Sequence, residues 1–187
     1  RRSSDLLIES REQTAIAILN TIKDAIDVYD ELSQYNESEN YLLHGLMIPI
    51  HKSIQINRIN QRLQSERVKP IRVVSTQVME AGVDLSFHYM YRALPIIPSL
   101  VQAAGRVNRH NELKIGRIET SHFLRDESDT RYIYSPALRR ITDDLLFMKE
   151  RWYEHETADL VRSFYKKMFT ENSYEAVLQD IQKAFFG

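Results

Sequence analysis

The 187-residue chain contains no cysteine. A disulfide framework, a thiol nucleophile and a cysteine-ligated zinc site are therefore excluded, and a reducing, cytoplasmic location is the natural expectation. Glycine is scarce, with five positions: Gly45, Gly82, Gly105, Gly116 and Gly187. None precedes a lysine, so the glycine-rich loop that cradles nucleotide phosphates ahead of a lysine is missing. No apolar run approaches the ~18–20 residues of a membrane span, and no signal-peptide pattern opens the chain. The six histidines are scattered, so no metal site is expected. The formal net charge of −1 argues against binding nucleic acid over the whole surface and leaves room for a local site. The first residue is Arg1 rather than methionine, and the chain is expected to be a piece of a longer or processed product.

The composition, 43% hydrophobic and 27% charged, is that of an ordinary globular protein. The length allows one full domain, or one domain with a small appendage. Thr14 to Leu19 reads as a buried strand. Thr21 is positioned to cap a helix carrying Ile22, Ala25, Ile26, Tyr29 and Leu32 at helical spacing. After a polar loop at Asn36 to Asn40, a short strand Tyr41-Leu42-Leu43 ends at His44-Gly45. A second helix is predicted from about Lys52 to Gln64, and strands at Ile71–Val74 and Phe87–Tyr91. Pro95 to Pro98 reads as a rigid connection, with Ser99 capping a helix from Leu100 to about Arg109. A turn at Asn111–Gly116 leads to a last strand, Arg117–Leu124. Strands alternating with helices predict an α/β fold with a parallel sheet.

The pattern changes near Arg125. Asp126-Glu127-Ser128-Asp129 forms an acidic loop, and from Pro136 onward the spacing is helical. Ile141, Leu145, Met148 and Trp152 make one stripe, and Leu160, Phe164 and Met168 another. The expected division is residues 1–128 as the sheet domain and 129–187 as a helical accessory segment.

Chemistry concentrates in two segments. Ser75-Thr76-Gln77-Val78-Met79-Glu80-Ala81-Gly82-Val83-Asp84 follows a buried strand and so starts at the carboxyl edge of the sheet, where open α/β sheets bind ligands. Hydroxyls there suit phosphate oxygens. Gly82 permits close backbone approach, and Asp84 can accept from a ribose hydroxyl or from metal-bound water. Read alone, Gly82-Val83-Asp84 is equally a turn before a strand. The second segment is Gln102-Ala103-Ala104-Gly105-Arg106-Val107-Asn108-Arg109. A glycine inside a helix costs ~1 kcal/mol relative to alanine. Arg106 and Arg109, three apart on one helical face, either meet a phosphoryl group or form a solvated basic face. Lys52, Arg58, Arg62, Arg67, Lys69 and Arg72 form a further basic cluster, read as a solvated face or as a track for single-stranded DNA.

Taken together, Ser-Thr-Gln-x-x-Glu-x-Gly-x-Asp followed by Gln-x-x-Gly-Arg-x-x-Arg resembles motifs V and VI of superfamily 2 helicases. The wording of Thr76 to Asp84, with Tyr91-Arg92-Ala93 and Asn108-Arg109, most resembles the CRISPR-associated helicase-nuclease of type I interference systems. Asn20-Thr21 and Leu42-Leu43-His44-Gly45 resemble segments of its second motor domain. Ala103 stands where that family usually has arginine. Asp126-Glu127-Ser128-Asp129 superficially matches a metal-binding Asp-Glu-x-Asp motif but lies on the wrong side of motif VI.

The resemblance implies a RecA-like sheet domain, the C-terminal half of an ATP-dependent translocase on single-stranded DNA. It implies Arg106 and Arg109 as arginine fingers on the γ-phosphate of ATP, and Gln102, Gly82 and Asp84 at the nucleotide. Asn20, Thr21 and Thr76 would lie at the nucleic acid, with His44, Ser75, Gln77 and Glu80 as further candidates there. ATP with Mg2+ would be held mainly by a first RecA-like domain outside this chain. That domain, an HD nuclease domain of the parent protein and a CRISPR effector complex are the implied partners; no membrane is implied. Without the phosphate-cradling loop the chain alone is expected to be inactive. The alternatives are half of another superfamily 2 DNA or RNA helicase, or a non-catalytic docking module from a split helicase.

Overall fold

The computed structural model describes Leu7 and residues 12–35, 37–65, 69–79, 85–108, 115–122 and 133–170. Its described residues group into two compact units: one from within 1–94 and 102–130, the other from within 95–101 and 131–187.

The first unit is a five-stranded sheet: β1 (Thr14–Ile18), β2 (Glu39–Leu43), β3 (Ile71–Ser75), β4 (Tyr89–Ala93) and β5 (Arg117–Ser121). The spatial order is β2-β3-β1-β4-β5, and every pairing is parallel, as the alternation of strands and helices predicts. The central strand shows why it forms. Along β1 the side chains alternate between faces. Ile16 and Ile18 join Leu43, Ile59, Ile71, Val73, Phe87 and Met90 on one side. Ala15 and Ala17 join Ala25, Val28, Leu32 and Tyr91 on the other. Both faces are covered, which a parallel sheet requires. Full burial of an isoleucine or leucine is worth roughly 1.5–3 kcal/mol.

Helix α1 (Ile22–Ser33) covers the alanine face. Thr21 caps it as predicted: its hydroxyl accepts the Asp24 N–H at 3.0 Å and donates to the buried Asp24 carboxylate at 2.6 Å. Helix α2 (Pro49–Gln64) starts earlier than the sequence pattern suggests, with Pro49 in the first turn, where a missing N–H costs nothing. Strand β2 begins at Glu39, inside the segment expected to be loop, because Glu39 and Asn40 pair in register with Ile71 and Arg72. Strand β4 begins at Tyr89, two residues later than expected. Helix α3 (Ile97–Ala104) starts within the expected proline connection, with Pro98 in its first turn, and it ends well short of Arg109.

The second unit contains Pro95–Val101, α4 (Pro136–Leu146) and α5 (Thr157–Thr170). Buried Thr142 accepts the Ile97 N–H at 3.3 Å. Of the first stripe, Ile141 and Leu145 are buried, whereas Met148 lies past the end of α4 and is exposed. Trp152 donates its indole N–H to the Leu146 carbonyl at 2.8 Å, with Lys149 over its ring. Leu160 and Phe164 are buried along α5. No helix among the described residues is long and apolar enough to cross a membrane.

At the start of β2, Arg62 donates Nε–H and Nη2–H to the two Glu39 carboxylate oxygens at 2.8 and 2.5 Å. The Tyr41 hydroxyl donates to the same group at 3.1 Å. The Arg62 hydrogen bonds hold the Glu39 carboxyl below the usual carboxylate range. A depressed folded-state pKa contributes stability that is fully present above the unfolded pKa and lost as pH falls through the folded one. Glu39→Gln is therefore expected to lower the urea midpoint at neutral pH, with the difference from wild type shrinking below about pH 4. Equilibrium unfolding across that range checks it; a pH-independent difference would exclude the ion pair as its source.

Candidate nucleotide and nucleic-acid interface

β1 and β4 are neighbours whose continuations diverge. β1 leads through α1 to β2 at one edge of the sheet, and β4 leads through α3 to β5 at the other. Such a divergence opens a crevice at the carboxyl ends of the strands. Asn20 sits there, nearly buried. Its Nδ2 donates to the Leu94 carbonyl at 3.1 Å, and its Oδ1 accepts from Arg92 Nη1 at 2.6 Å. Thr21 follows, its hydroxyl proton committed to Asp24.

The next strands add their own ends to this edge. Leu19 N–H donates to the Ser75 carbonyl at 2.8 Å and Thr76 N–H to the Leu43 carbonyl at 3.1 Å, which aligns Asn20, Thr76 and His44 along it. Ser75 is fully buried, and its hydroxyl donates to the Thr76 carbonyl at 3.0 Å. Thr76 is nearly buried. Gln77, half-buried in a single turn of 3-10 helix, reaches the Asn20 carbonyl at 3.4 Å. His44 Nδ1 is buried with no hydrogen-bond partner among the described residues. The structure thus brings Asn20, Thr21, His44, Ser75, Thr76 and Gln77 to one edge. Glu80, Gly82 and Asp84 lie outside the described residues.

Gln102 and Arg106 are elsewhere. α3 runs back from the carboxyl edge and delivers them to the amino end of β4. There Phe87 N–H donates to the Arg106 carbonyl at 3.1 Å, and Asn108 N–H donates to the Phe87 carbonyl at 2.8 Å, a parallel bridge between Phe87 and Val107. A five-residue strand rising ~3.3 Å per residue separates the two edges by roughly 15 Å. The expectation that Arg106 lies on a helical face with Arg109 is corrected: the helix stops at Ala104, and Arg106 belongs to a turn that enters the bridge. Gly105 is accordingly not inside the helix, and its supposed helical penalty disappears. Gln102 is exposed on the last turn of α3 and Arg106 is half-buried. Arg109 lies outside the described residues.

The basic cluster does not form one face. Arg72 is buried in β3, donating to the Leu7, Glu12 and Ile71 carbonyls at 2.8 to 3.1 Å. Burial pulls its pKa below the usual arginine value. Arg62 is paired with Glu39. Lys52 and Arg58 remain on α2 and Lys69 is exposed, while Arg67 lies outside the described residues.

The donors at the amino edge, a carboxamide and a guanidinium, suit the oxygens of a terminal phosphoryl group. Among the described residues no three His, Asp or Glu side chains are grouped to hold a metal ion. Gln102 and Arg106 thus suit one end of a nucleotide. Sequence reasoning missed Arg92 as a builder of the site. Its signal was a charge inside the otherwise uncharged run Tyr89–Ala93, which once buried must find partners.

An all-parallel five-stranded sheet flanked by helices is the architecture of RecA-like helicase domains. A family model described as CRISPR-associated nuclease/helicase Cas3, C-terminal, matches residues 11–112, more than half of the chain, and the chain belongs to that family. The CRISPR-associated nuclease/helicase Cas3 of Methanothermobacter thermautotrophicus is 29% identical over 180 residues, covering 94% of this chain and 21% of that protein. The crystal structure of T. fusca Cas3 superposes with a TM-score of 0.75 at 23% identity, covering 98% of this chain and 24% of that one. A chain of a CRISPR RNA-guided surveillance complex in a pre-nicking state gives 0.70 at 22% identity, covering 94% and 25%. The chain spans about a fifth of the length of the curated relative.

The amino-edge turn leaves no room beside it. A Cβ on Gly116 would meet Val107 Cγ1 at 2.7 Å and Asn108 Cβ at 2.8 Å. Asn108 itself has φ 49°, a left-handed conformation that asparagine tolerates better than most residues. Gly116→Ala is therefore expected to destabilise the fold by about 1–3 kcal/mol. Urea unfolding reads this directly, and a wild-type midpoint would exclude the close approach.

Proposed function

We propose that this chain is the C-terminal motor half of an ATP-dependent translocase or helicase that runs on single-stranded DNA in CRISPR interference. The observation that carries the reading is the separation of the candidate residues onto two sheet edges joined by short stretches of chain. Residues 77–86 run from the carboxyl end of β3 to the amino end of β4, and β4 with α3 runs between the same two edges. Gly82 and Asp84 lie on the first connection, where a change at the nucleotide is felt by Thr76 and Gln77. Family membership supports the motor assignment, as does the likeness to T. fusca Cas3, a protein solved in a form with ATP at 24% identity to this chain.

ATP, when bound with Mg2+, supplies the γ-phosphoryl group on which negative charge accumulates during transfer. The first RecA-like domain of the parent protein holds most of that nucleotide. Arg106 and Arg109 then offset the accumulating charge in a site from which water is excluded, and Gln102 orients the same group through its amide. At the other edge, Thr76, Gln77, His44 and Glu80 meet the strand. Asn20, Thr21 and Ser75 shape that edge, since their side-chain hydrogen bonds run to the protein itself. The DNA-stimulated cycle operates in the cytoplasm, beside an HD nuclease domain of the same parent and on DNA opened by a CRISPR effector complex.

In the intact protein, Arg106→Ala and Arg109→Ala are each expected to lower DNA-stimulated ATP turnover by on the order of 10³-fold or more while ATP still binds. Steady-state turnover with nucleotide-binding measurements checks this, and near-wild-type turnover would remove the finger role. Thr76→Ala is expected to raise severalfold the DNA concentration needed for half-maximal stimulation. An unchanged concentration would take Thr76 out of the strand contact.

A further inference from the structure

Arg92 is fully buried in the middle of the sheet. Its Nη1 donates to Asn20 Oδ1 at 2.6 Å and to the Ala93 carbonyl at 2.7 Å, and lies 3.3 Å from the Ile18 carbonyl. Asn20 closes the circuit by donating Nδ2–H to the Leu94 carbonyl at 3.1 Å. Two side chains therefore lace the ends of β1 and β4 together at the point where the strands' continuations part. The main chain of Arg92 is held from the other side, where the Thr120 hydroxyl of β5 donates to its carbonyl at 2.8 Å. Gln77 adds the end of β3 through the Asn20 carbonyl.

A guanidinium is an expensive choice for such a position. Well-packed apolar residues of similar volume often serve stability as well or better. What a hydrocarbon cannot do is fix the direction of a neighbouring amide. The Arg92 donors leave Asn20 one orientation, with Oδ1 toward β4 and Nδ2 on Leu94. That orientation sets the course of the chain into Thr21 and the first turn of α1. The same strand continues into α3, whose far end carries Gln102 and leads into the turn that holds Arg106.

We infer that Arg92 is a positioning residue for the nucleic-acid edge. It clamps the Asn20–Thr21 turn to the end of β4, so that the strand-facing edge stays in register with the element that carries the phosphate-facing residues. Arg92 touches neither DNA nor nucleotide. The inference rests on the motor reading above and deepens it.

The test uses the intact protein with Arg92→Met, Arg92→Lys and Asn20→Asp. Two quantities are measured: amide hydrogen exchange at residues 19–22, and affinity for a fluorescein-labelled single-stranded oligonucleotide by anisotropy. Arg92→Met is expected to speed exchange in the turn and to weaken strand affinity, each by about tenfold, the scale of a lost hydrogen bond to a charged group. Exchange at residues 15–17 of β1 should stay as in wild type. Arg92→Lys, which keeps a donor but not the planar fork, should fall between, and it replaces the methionine variant if that one does not fold. Asn20→Asp keeps the acceptor for Arg92 but removes the Nδ2–H that the Leu94 carbonyl accepts, and it should loosen the turn and weaken strand affinity as Arg92→Met does. Wild-type exchange in the turn of Arg92→Met would overturn the clamp. A loosened turn with wild-type strand affinity would overturn its role in positioning. A wild-type protein that binds no single strand would overturn the motor reading and, with it, the inference, whereas the exchange result still decides whether the clamp exists.

Discussion

A parallel sheet imposes one constraint from which the rest of this structure follows: every connection must travel from the carboxyl edge back to the amino edge before the next strand can begin. Five parallel strands therefore sort their loops into two populations on opposite edges. Asn20, His44 and Thr76 come directly after strands, so they share the carboxyl edge. Arg106 comes at the end of a returning helix, so it cannot join them. The order of the residues along the chain fixes this division before any side chain packs. It also decides which segments can report from one edge to the other. The chain between β3 and β4 starts at one edge and ends at the other, as does the β4–α3 run.

The sheet buries two arginines, and they do different work. Arg72 in β3 gathers main-chain carbonyls from the N-terminal segment, Leu7 and Glu12, and thereby ties that segment to the sheet. Arg92 in β4 spends its donors at the carboxyl edge on Asn20 and its neighbours. Moving a guanidinium out of water costs several kcal/mol unless hydrogen bonds replace those to water, so both positions demand dense acceptor sets. For Arg92 the carbonyls of Ile18 and Ala93, the last residues of their strands, provide part of the set. The cations that a count of charges assigns to a nucleic-acid surface are in part consumed in holding the fold: Arg72 by burial and Arg62 by Glu39.

Much of the first unit was legible because its signals are local. The apolar run at Thr14–Leu19, the Thr21 cap and the alternation of strands with helices each rest on spacing and on one hydrogen-bonding side chain. Thr21 shows how little is needed, since a hydroxyl three residues ahead of an aspartate closes the first turn. The edge residues Asn20, Thr76 and His44 were legible for a related reason, each following an apolar strand directly. What was not legible depended on partners distant in the chain. Glu39 and Asn40 look like loop until β3 lies alongside and pairs with them. Met148 continues a helical spacing on paper, but α4 ends at Leu146 and leaves it exposed. Arg92 reads as one charge in an apolar run, and only the proximity of β1 reveals what it is for.

The Gln102–Arg109 segment is the most instructive case, because the helix expected across it ends at Ala104 and Arg106 falls in a turn. Regular spacing of Arg106 and Arg109 suggests a continuous helix, and Gly105 then looks like a cost in need of compensation. In the structure the helix ends first, so that cost does not arise, and tertiary contacts hold the segment beyond it. Phe87 grips Arg106 and Asn108 through their main chains, Asn108 accepts a left-handed turn, and Gly116 gives up its side chain so that β5 can start against them. A helix end would fray, since its terminal groups lack intrahelical partners. A bridge to the sheet's amino edge instead ties the carbonyl of Arg106 and the amide of Asn108 to the fully buried Phe87. Such anchoring matters for a long side chain, because that side chain already loses entropy on ordering and its main chain then adds no further freedom to the loss. The placement of Arg106 is thus a property of β4, β5 and Phe87 together, and the helix that carries Gln102 to the same edge only delivers it there.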